Sequence, residues 1–313
     1  MSGSHQSESN FLSVCIPAFN DEIAFSRCIE SVCSQTIENI EIIVSDDSHA
    51  DTIELAVKKR NDARIRYKRN TPSLGAPANW NAALRMSRGN IVTLLHQDDW
   101  YRTPDTLTVV CNAMDANASD IIITGRALYH EHHCLGEYRL PNNAAKRFLS
   151  DFPGKSLVIN RLGHPSVFFF KGRFRNILYD ESLLYFSDTD YYNRLITAAN
   201  KVTIHSDSLV AISWKKTNRL SNAFLSDPLK TLTELFLVHN KYKCSPFVRG
   251  MSTARLCASN IRHWYPSIGR ILRFIKPRMP YSAFFATCVS MPFFLLFMVY
   301  RLAYRAAQNK GWG

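Results

Sequence analysis

The last quarter of this chain contains no acidic residue. From Leu235 to Gly313 there is neither Asp nor Glu, while Lys241, Lys243, Arg249, Arg255, Arg262, Arg270, Arg273, Lys276, Arg278, Arg301, Arg305 and Lys310 fall there. The formal net charge of +12 over 313 residues is therefore carried by the tail, and the remainder is close to neutral. Such asymmetry points to an anionic partner, either nucleic acid or lipid headgroups. CxxC pairs are also missing. The cysteines at positions 15, 28, 33, 111, 134, 244, 257 and 288 follow no regular spacing. That argues against a disulfide framework and for a reducing compartment. Met1–Asn10 is polar and lacks the apolar core of a signal peptide, so a disordered start over 1–10 and no export are expected. No GxGxxG follows the first apolar run, which disfavours a dinucleotide oxidoreductase. There is no internal repeat or low-complexity tract, and the apolar and charged fractions are those of a folded protein.

What is present first is an alternation. Phe11–Ile16 is a short β-branched run ending at Pro17 and reads as a buried strand. Residues 21–34 place Ile23, Phe25, Cys28, Ile29, Val32 and Cys33 at helical spacing. Further strands are predicted at Ile40–Val44, Arg64–Lys68 and Ile91–Leu95, with helices over 51–59 and Pro77–Met86. This β-α-β-α-β-α-β order predicts an α/β fold with a mostly parallel, Rossmann-like sheet flanked by helices. Ligands bind such sheets beyond the carboxyl ends of the strands. Beyond residue 116 the alternation loosens, with strands at Ile121–Tyr129, Ser166–Phe170 and Val202–Ile212 and a helix at Thr189–Ala199. A mostly helical stretch then runs from about Ser226 to Arg273.

Four local patterns carry chemistry. Val14-Cys15-Ile16-Pro17-Ala18-Phe19-Asn20 is a strand entering a tight turn. Val44-Ser45-Asp46-Asp47 puts two acids at the end of the second strand, where a carboxylate accepts from a base N–H or a ribose hydroxyl. Asp51, just beyond, is equally a helix cap. Leu95-His96-Gln97-Asp98-Asp99-Trp100 follows the fourth strand. Neighbouring acids there suit a hard divalent cation shared with a diphosphate, or else form a solvated turn. The fourth pattern combines Gly163-His164-Pro165-Ser166 with Ser187-Asp188-Thr189-Asp190. Asp188 stands at a helix start, where it is either a general base or a cap.

In this order the patterns resemble the family 2 glycosyltransferases of the GT-A fold, over about residues 11–220. The resemblance implies that Pro17, Phe19, Glu22, Asp46 and Asp47 line the nucleoside pocket, with Asp46 facing the base. It implies that Gly75, Asn79 and Asn81 belong to a loop and helix closing over the nucleotide. Asp98 and Asp99 match the metal-binding DxD region, with Mn²⁺ or Mg²⁺ as cofactor and Asp98 also touching the nucleotide-sugar. Asp188 matches the catalytic base of an inverting transfer. His96 departs from the family's first Asp, and Ser187 from the Glu that usually precedes the base. Gln308-x-x-Gly311-Trp312 lacks the Arg of the processive synthases' QxxRW, so single addition is expected. The donor implied is a nucleotide-sugar, UDP-linked above all, and the acceptor a membrane-linked glycan for a cell-surface polysaccharide.

The domains expected are 11–220 for transfer (11–115 for the nucleotide, 116–220 for the acceptor), a helical extension over 221–275, and a basic, apolar segment over 276–313. Phe284–Tyr300 is seventeen residues without a charge, interrupted by Pro292 and flanked by basic residues. It lies between a short span, an interfacial helix and a buried core helix. Membrane association at the cytoplasmic face is expected, and no nucleic acid, since no nucleic-acid motif accompanies the basic tail. A non-catalytic nucleotide-sugar-binding scaffold is the alternative, prompted by His96. Tyr129-His130-Glu131-His132-His133-Cys134 gathers potential metal ligands without a partner pair at zinc-site spacing. Trp214-Lys215-Lys216-Thr217-Asn218-Arg219 is a basic turn able to clamp a diphosphate, or simply an exposed one.

Overall fold

The computed structural model describes residues 11–214, 227–260, 264 and 268–278. These fall into two compact units. One holds residues 11–149 and 161–214, and the other residues 150–160 together with the described residues from 227 onward.

In the first unit β1 (Leu12–Ala18) is an interior strand, buried along its whole length, as a strand covered on both faces must be. It pairs in parallel with β2 (Ile40–Asp46) on one side and β4 (Ile91–Leu94) on the other, and β2 pairs in parallel with β3 (Ile65–Arg69). Helices α1 (Glu22–Cys33), α2 (Thr52–Arg60) and α3 (Ala76–Met86) make the crossovers. The α1 start is fixed by Asp21, whose side chain accepts from the Ala24 N–H. Asp51 does stand before α2, but its side chain makes no capping bond. β1 continues through Pro17 to Ala18, opposite Ser45 and Asp46, two residues beyond the predicted end.

With β5 (Trp100–Tyr101), β6 (Ile121–His130), β7 (His133–Tyr138), β8 (Phe168–Lys171) and β9 (Val202–Ser213), nine strands among the described residues join one sheet in the order β3-β2-β1-β4-β8-β6-β9-β5, with β7 beside β6. The expectation of a mostly parallel sheet needs correction. β8 runs antiparallel to both β4 and β6. β9 is parallel to β6, but β5 and β7 are antiparallel to their partners. Half of the strand pairs are therefore antiparallel. Two of these pairs come from one reversed strand, β8, which occupies the place beside β4 that β6 would take in a doubly wound sheet, and the other two from the short β5 and the β6–β7 hairpin. Between these strands lie α4 (Thr106–Ala116), α5 (Ala144–Asp151) and α7 (Ser187–Ala198).

The second unit comprises the short α6 (Lys155–Val158) with α8 (Pro228–Lys241), α9 (Pro246–Ser259) and α10 (Ile268–Ile275). Asp227 and Ser245 cap α8 and α9 by accepting from the Lys230 and Val248 N–H groups. Inside, buried His239 shares a 2.8 Å hydrogen bond with Ser252. Among the described residues no helix is long and apolar enough to cross a membrane. The expected disordered start, the Lys215–Arg219 turn and the apolar run 284–300 lie outside the described residues.

Candidate active site

The carboxyl ends of β1, β2 and β4 meet at one edge of the sheet, and hydrogen bonds tie them together. Gln97 does so by a reciprocal pair, its Oε1 accepting from the Phe19 N–H and its Nε2 donating to the Phe19 carbonyl, each at 2.8 Å. Beside it, His96, Asp98 and Asp99 each present one ligand atom, all within 4.8 Å of one another. The loop is held from behind by α1: Arg27 donates to the Asp98 carbonyl at 3.1 Å, and the Cys28 thiol to that of His96 at 3.6 Å.

Burial lowers the pKa of His96 and keeps the ring neutral, and its Nε2 has no hydrogen-bond partner. Burial, reinforced by the charge of Asp99, raises that of Asp98. Asp99 is almost completely buried yet held below its ordinary value: burial acts upward, but His164 and Ser166 outweigh it. Ser166 Oγ donates to Asp99 Oδ2 at 2.6 Å and accepts from the His96 N–H at 3.1 Å. His164 Nδ1 lies 3.8 Å from Asp99 Oδ2. Burial opposes a charged imidazole there, but Asp99, Asp188 and Asp98 together raise its pKa. A neutral imidazole with an orphaned nitrogen and two carboxylates in one cluster is a donor set that fits a Mn²⁺- or Mg²⁺-like cation. The departure at His96 thus leaves a cation-compatible group.

Asp188 opens α7, and its field reaches His164. Burial pushes its pKa up to about 6, with His164 acting in the opposite direction. Its Oδ1 is buried and has no hydrogen-bond partner. Asp190, two residues on, is fully buried and paired with Arg194 at 2.9 Å. Of the two acids, only Asp188 carries an oxygen without a partner among the described residues.

The acids after β2 are differently engaged. Asp46 is fully buried, accepting from the Ser48 N–H at 2.9 Å and the Tyr67 hydroxyl at 2.7 Å. Asp47 accepts from the N–H groups of Leu74 and Gly75 at 2.8 and 2.7 Å and from Ser73 Oγ at 2.8 Å, so it pins the loop before α3. Gly75 has φ +85°, a conformation that costs glycine little. Asn79 donates to the Ala18 carbonyl at 3.2 Å, and Asn81 brackets the 179–181 loop, donating to the Tyr179 carbonyl and accepting from its N–H. Phe19 is 47% exposed and meets His49 edge-on at 5.6 Å. Glu22 is exposed in the first turn of α1, where Ser26 donates to it at 2.9 Å, and Pro17 is buried in β1.

Sequence reasoning assigned no role to the side chains that link these groups. Trp80, between the two flagged asparagines, lies 5.3 Å from His96 and 4.9 Å from Tyr179, which stacks on Tyr191 of α7 at 4.0 Å. This aromatic chain spans from the His96 cluster to the helix bearing Asp188. His164 and Ser166 lay in a flagged pattern, but their partner Asp99 is some 67 residues away. Among the described residues the His130–Cys134 stretch does not gather into a metal-ligand group.

An α/β sheet with acids clustered at its strand ends is similar to the GT-A glycosyltransferases. TarS from S. aureus, in complex with UDP-GlcNAc, superposes with a TM-score of 0.58 at 17% identity, over 82% of this chain and 72% of that one. The mannosyltransferase PcManGT from Pyrobaculum calidifontis, in complex with GDP-Man and Mn²⁺, gives 0.55 at 12% identity, over 90% and 87%. In sequence, the Escherichia coli UDP-Glc:alpha-D-GlcNAc-diphosphoundecaprenol beta-1,3-glucosyltransferase WfaP is 36% identical over 92 residues. That stretch is 29% of this chain and 37% of WfaP. The family model for glycosyl transferase family 2 matches residues 13–180. The chain belongs to glycosyl transferase family 2.

Proposed function

We propose that this protein transfers a single sugar, with inversion, from a nucleotide-sugar to a hydroxyl of a lipid-linked glycan, in the synthesis of a cell-surface polysaccharide. The observation that carries it is Asp188. Its partnerless Oδ1 and raised pKa, beside the His164–Asp99 pair, are what a general base poised near neutrality requires. The acceptor O–H proton goes to Asp188 Oδ1 as the acceptor oxygen bonds to the anomeric carbon. The bond from that carbon to the diphosphate breaks on the opposite face, and the nucleoside diphosphate leaves with the electron pair.

His96, Asp98 and Asp99 would hold the Mn²⁺ or Mg²⁺, with Ser166 and His164 fixing the Asp99 carboxylate. Such a cation, when bound, neutralises the charge that grows on the departing diphosphate. Pro17, Phe19, Glu22, Asp46, Asp47, Gly75, Asn79 and Asn81 form the nucleoside end. Phe19 and Glu22 are exposed enough to touch the donor. The buried Asp46, Asp47, Asn79 and Asn81 act by holding the surrounding backbone. A UDP-sugar donor and a diphosphate-lipid-linked acceptor are supported by the likeness to WfaP, which uses UDP-Glc and a diphosphoundecaprenol-linked GlcNAc. The basic, acid-free sequence after Leu235 supports work at the cytoplasmic face of a membrane.

Residues 11–220 would be the transferase domain, 221–275 its helical extension and 276–313 the membrane-associating segment. The non-catalytic scaffold loses its motivation once His96 serves as a ligand. The test is Asp188→Asn with UDP-sugars and Mn²⁺. Transfer and donor hydrolysis should collapse while UDP still raises the unfolding midpoint. Undiminished turnover would remove the assignment.

A further inference from the structure

Beside the candidate active site, between β5, the β6–β7 hairpin and the middle of β9, lies a cavity of about 420 Å³. That volume is in the range of small-ligand sites. None of His96, Asp98, Asp99, His164 or Asp188 lines it.

Its shape comes from an irregularity in the sheet. β6 and β9 pair in register as far as Thr124 with His205, and then Gly125 faces Ser208, so Ser206 and Asp207 are extra residues on β9. Bulges re-aim side chains, and this one brings Asp207 and Ser208 to the cavity. Gly125 permits it: a Cβ there would stand 3.0 Å from the Asp207 carbonyl oxygen, tighter than a side-chain-bearing residue readily accepts. Trp100 and Tyr129 form an aromatic wall with ring centroids 5.1 Å apart, and the Arg27 guanidinium 3.7 Å over the Trp100 ring steadies it. Arg102 is fixed by Glu137 at 2.7 Å and by the Ser208 carbonyl at 2.9 Å. Arg139 completes the rim. Ser208 Oγ is buried without a hydrogen-bond partner.

The lining selects a class of ligand. Arg102 and Arg139 face Glu137 and Asp207, so the charges balance, and neither a phosphate nor a metal cation meets a field of one sign. Four charged side chains exclude an acyl chain. What remains is a neutral molecule dense in hydroxyl groups with an apolar C–H face. Guanidinium N–H groups can donate to, and carboxylate oxygens accept from, the hydroxyls of such a molecule. Aromatic walls take the C–H face, and the orphaned Ser208 hydroxyl offers one more polar contact.

We infer that this cavity binds one sugar residue, and that it belongs to the acceptor glycan, away from the unit that receives the transferred sugar. The wall between cavity and active site is shared backbone. Trp100 directly follows Asp99, and Ser213, the β9 partner of Tyr129, donates its N–H to Asp99 Oδ1 at 3.3 Å. Assigning the sugar to the acceptor rests on the glycosyltransferase function proposed above, whereas binding of a free pyranoside does not.

The full chain is tested by saturation-transfer NMR against the methyl glycosides of glucose, galactose, mannose, GlcNAc and GalNAc, with UDP titrated separately. At least one glycoside should receive saturation that excess UDP does not displace. Arg139→Ala/Asp207→Ala should weaken its binding by about tenfold or more. If that double variant does not fold, Arg139→Gln, on the exposed hairpin, makes the same comparison. Absence of saturation transfer to every glycoside, displacement by UDP, or binding untouched by the substitutions overturns the proposal. Failure of UDP to bind, with glycoside binding intact, counts against the transferase function and leaves the sugar site standing.

Discussion

Ser166 Oγ stands 2.6 Å from Asp99 Oδ2 and at the same time accepts the His96 N–H, so one hydroxyl joins the backbone of one candidate ligand to the carboxylate of another. Partners of this kind orient metal ligands, and losing one typically costs about 10–100-fold in metal affinity or activity. Ser166→Ala should therefore raise the Mn²⁺ concentration needed for half-maximal turnover by at least about tenfold. Ser166→Thr, which keeps the hydroxyl, should recover part of the loss. A metal titration of activity in which the Ala variant follows the parent would separate this serine from the site.

The pH profile should carry the signature of Asp188. The proposed function requires Asp188 to be ionised, and burial holds its carboxyl at about 6. The kcat/KM for transfer should therefore fall as pH drops through about 6, with a limb close to one proton. Asp188→Glu should keep an acidic limb at reduced rate, and Asp188→Asn should have no limb to measure.

Stability should move in the opposite sense to activity. The Asp188 pKa is raised from 3.8 to about 6, so its ionisation is harder in the folded protein than in the unfolded chain. The penalty is absent below about pH 4, grows between about 4 and 6, and is complete above. Asp188→Asn removes it, and the metal-free variant should be more stable than the parent at pH 8 by on the order of 2 kcal/mol. The gain should vanish near pH 4, and chemical denaturation at both pH values checks the crossing.

The loop before α3 should be sensitive at both ends of its anchor. Gly75→Ala meets no atom within 4 Å of the new Cβ, so its cost is that of a backbone at φ +85° and ψ 164°, a region essentially reserved for glycine, about 2 kcal/mol. Asp47→Ala abandons the N–H groups of Leu74 and Gly75 together with Ser73, and should cost more, on the order of 3 kcal/mol. Urea midpoints that rank the two variants the other way would show that the loop is held by something else.

In the second unit, burial, aided by the charge of Arg249, lowers the pKa of His239 from 6.5 to about 3. The folded form therefore keeps this ring neutral where the unfolded chain protonates it. Its contribution to stability is complete above about pH 6.5 and is lost progressively as pH falls toward about 3, at up to about 1.4 kcal/mol per pH unit. His239→Gln should start less stable at pH 8 and show a shallower decline on acidification. Parallel declines would mean that other groups dominate the acid response.

The strands of the parallel half of the sheet were legible because Leu12–Ala18, Ile40–Asp46 and Ile91–Leu94 are largely apolar, β-branched runs buried along their length. Asp98 and Asp99, which cluster with His96, stand directly after the last of these. The direction of β8 was not, since nothing in Phe168–Phe169–Phe170 distinguishes a parallel neighbour of β4 from an antiparallel one. Spacing alone does not separate a base from a cap at Asp188, whereas its neighbour Asp190 is engaged by Arg194, four residues further on. The links from Ser166 and His164 to Asp99, and from Trp80 to His96, join residues far apart in the chain. Helical and strand periodicity carry no information about them. β7 escaped notice for a different reason: it is exposed nearly throughout and has no apolar side to betray it.

The contact from the Ser213 N–H to Asp99 has a consequence for how the protein is made. On the ribosome α1–α3 and the first four strands emerge long before residue 213, and local pairing lets them assemble early. The acidic pair after β4 then lacks Ser166 and His164 until the segment leading into β8 has been made, and the Ser213 N–H until β9 has. Until β9 zips alongside β6, the Asp99 carboxylate is short of its last restraint, and a truncation anywhere before that strand should leave it so.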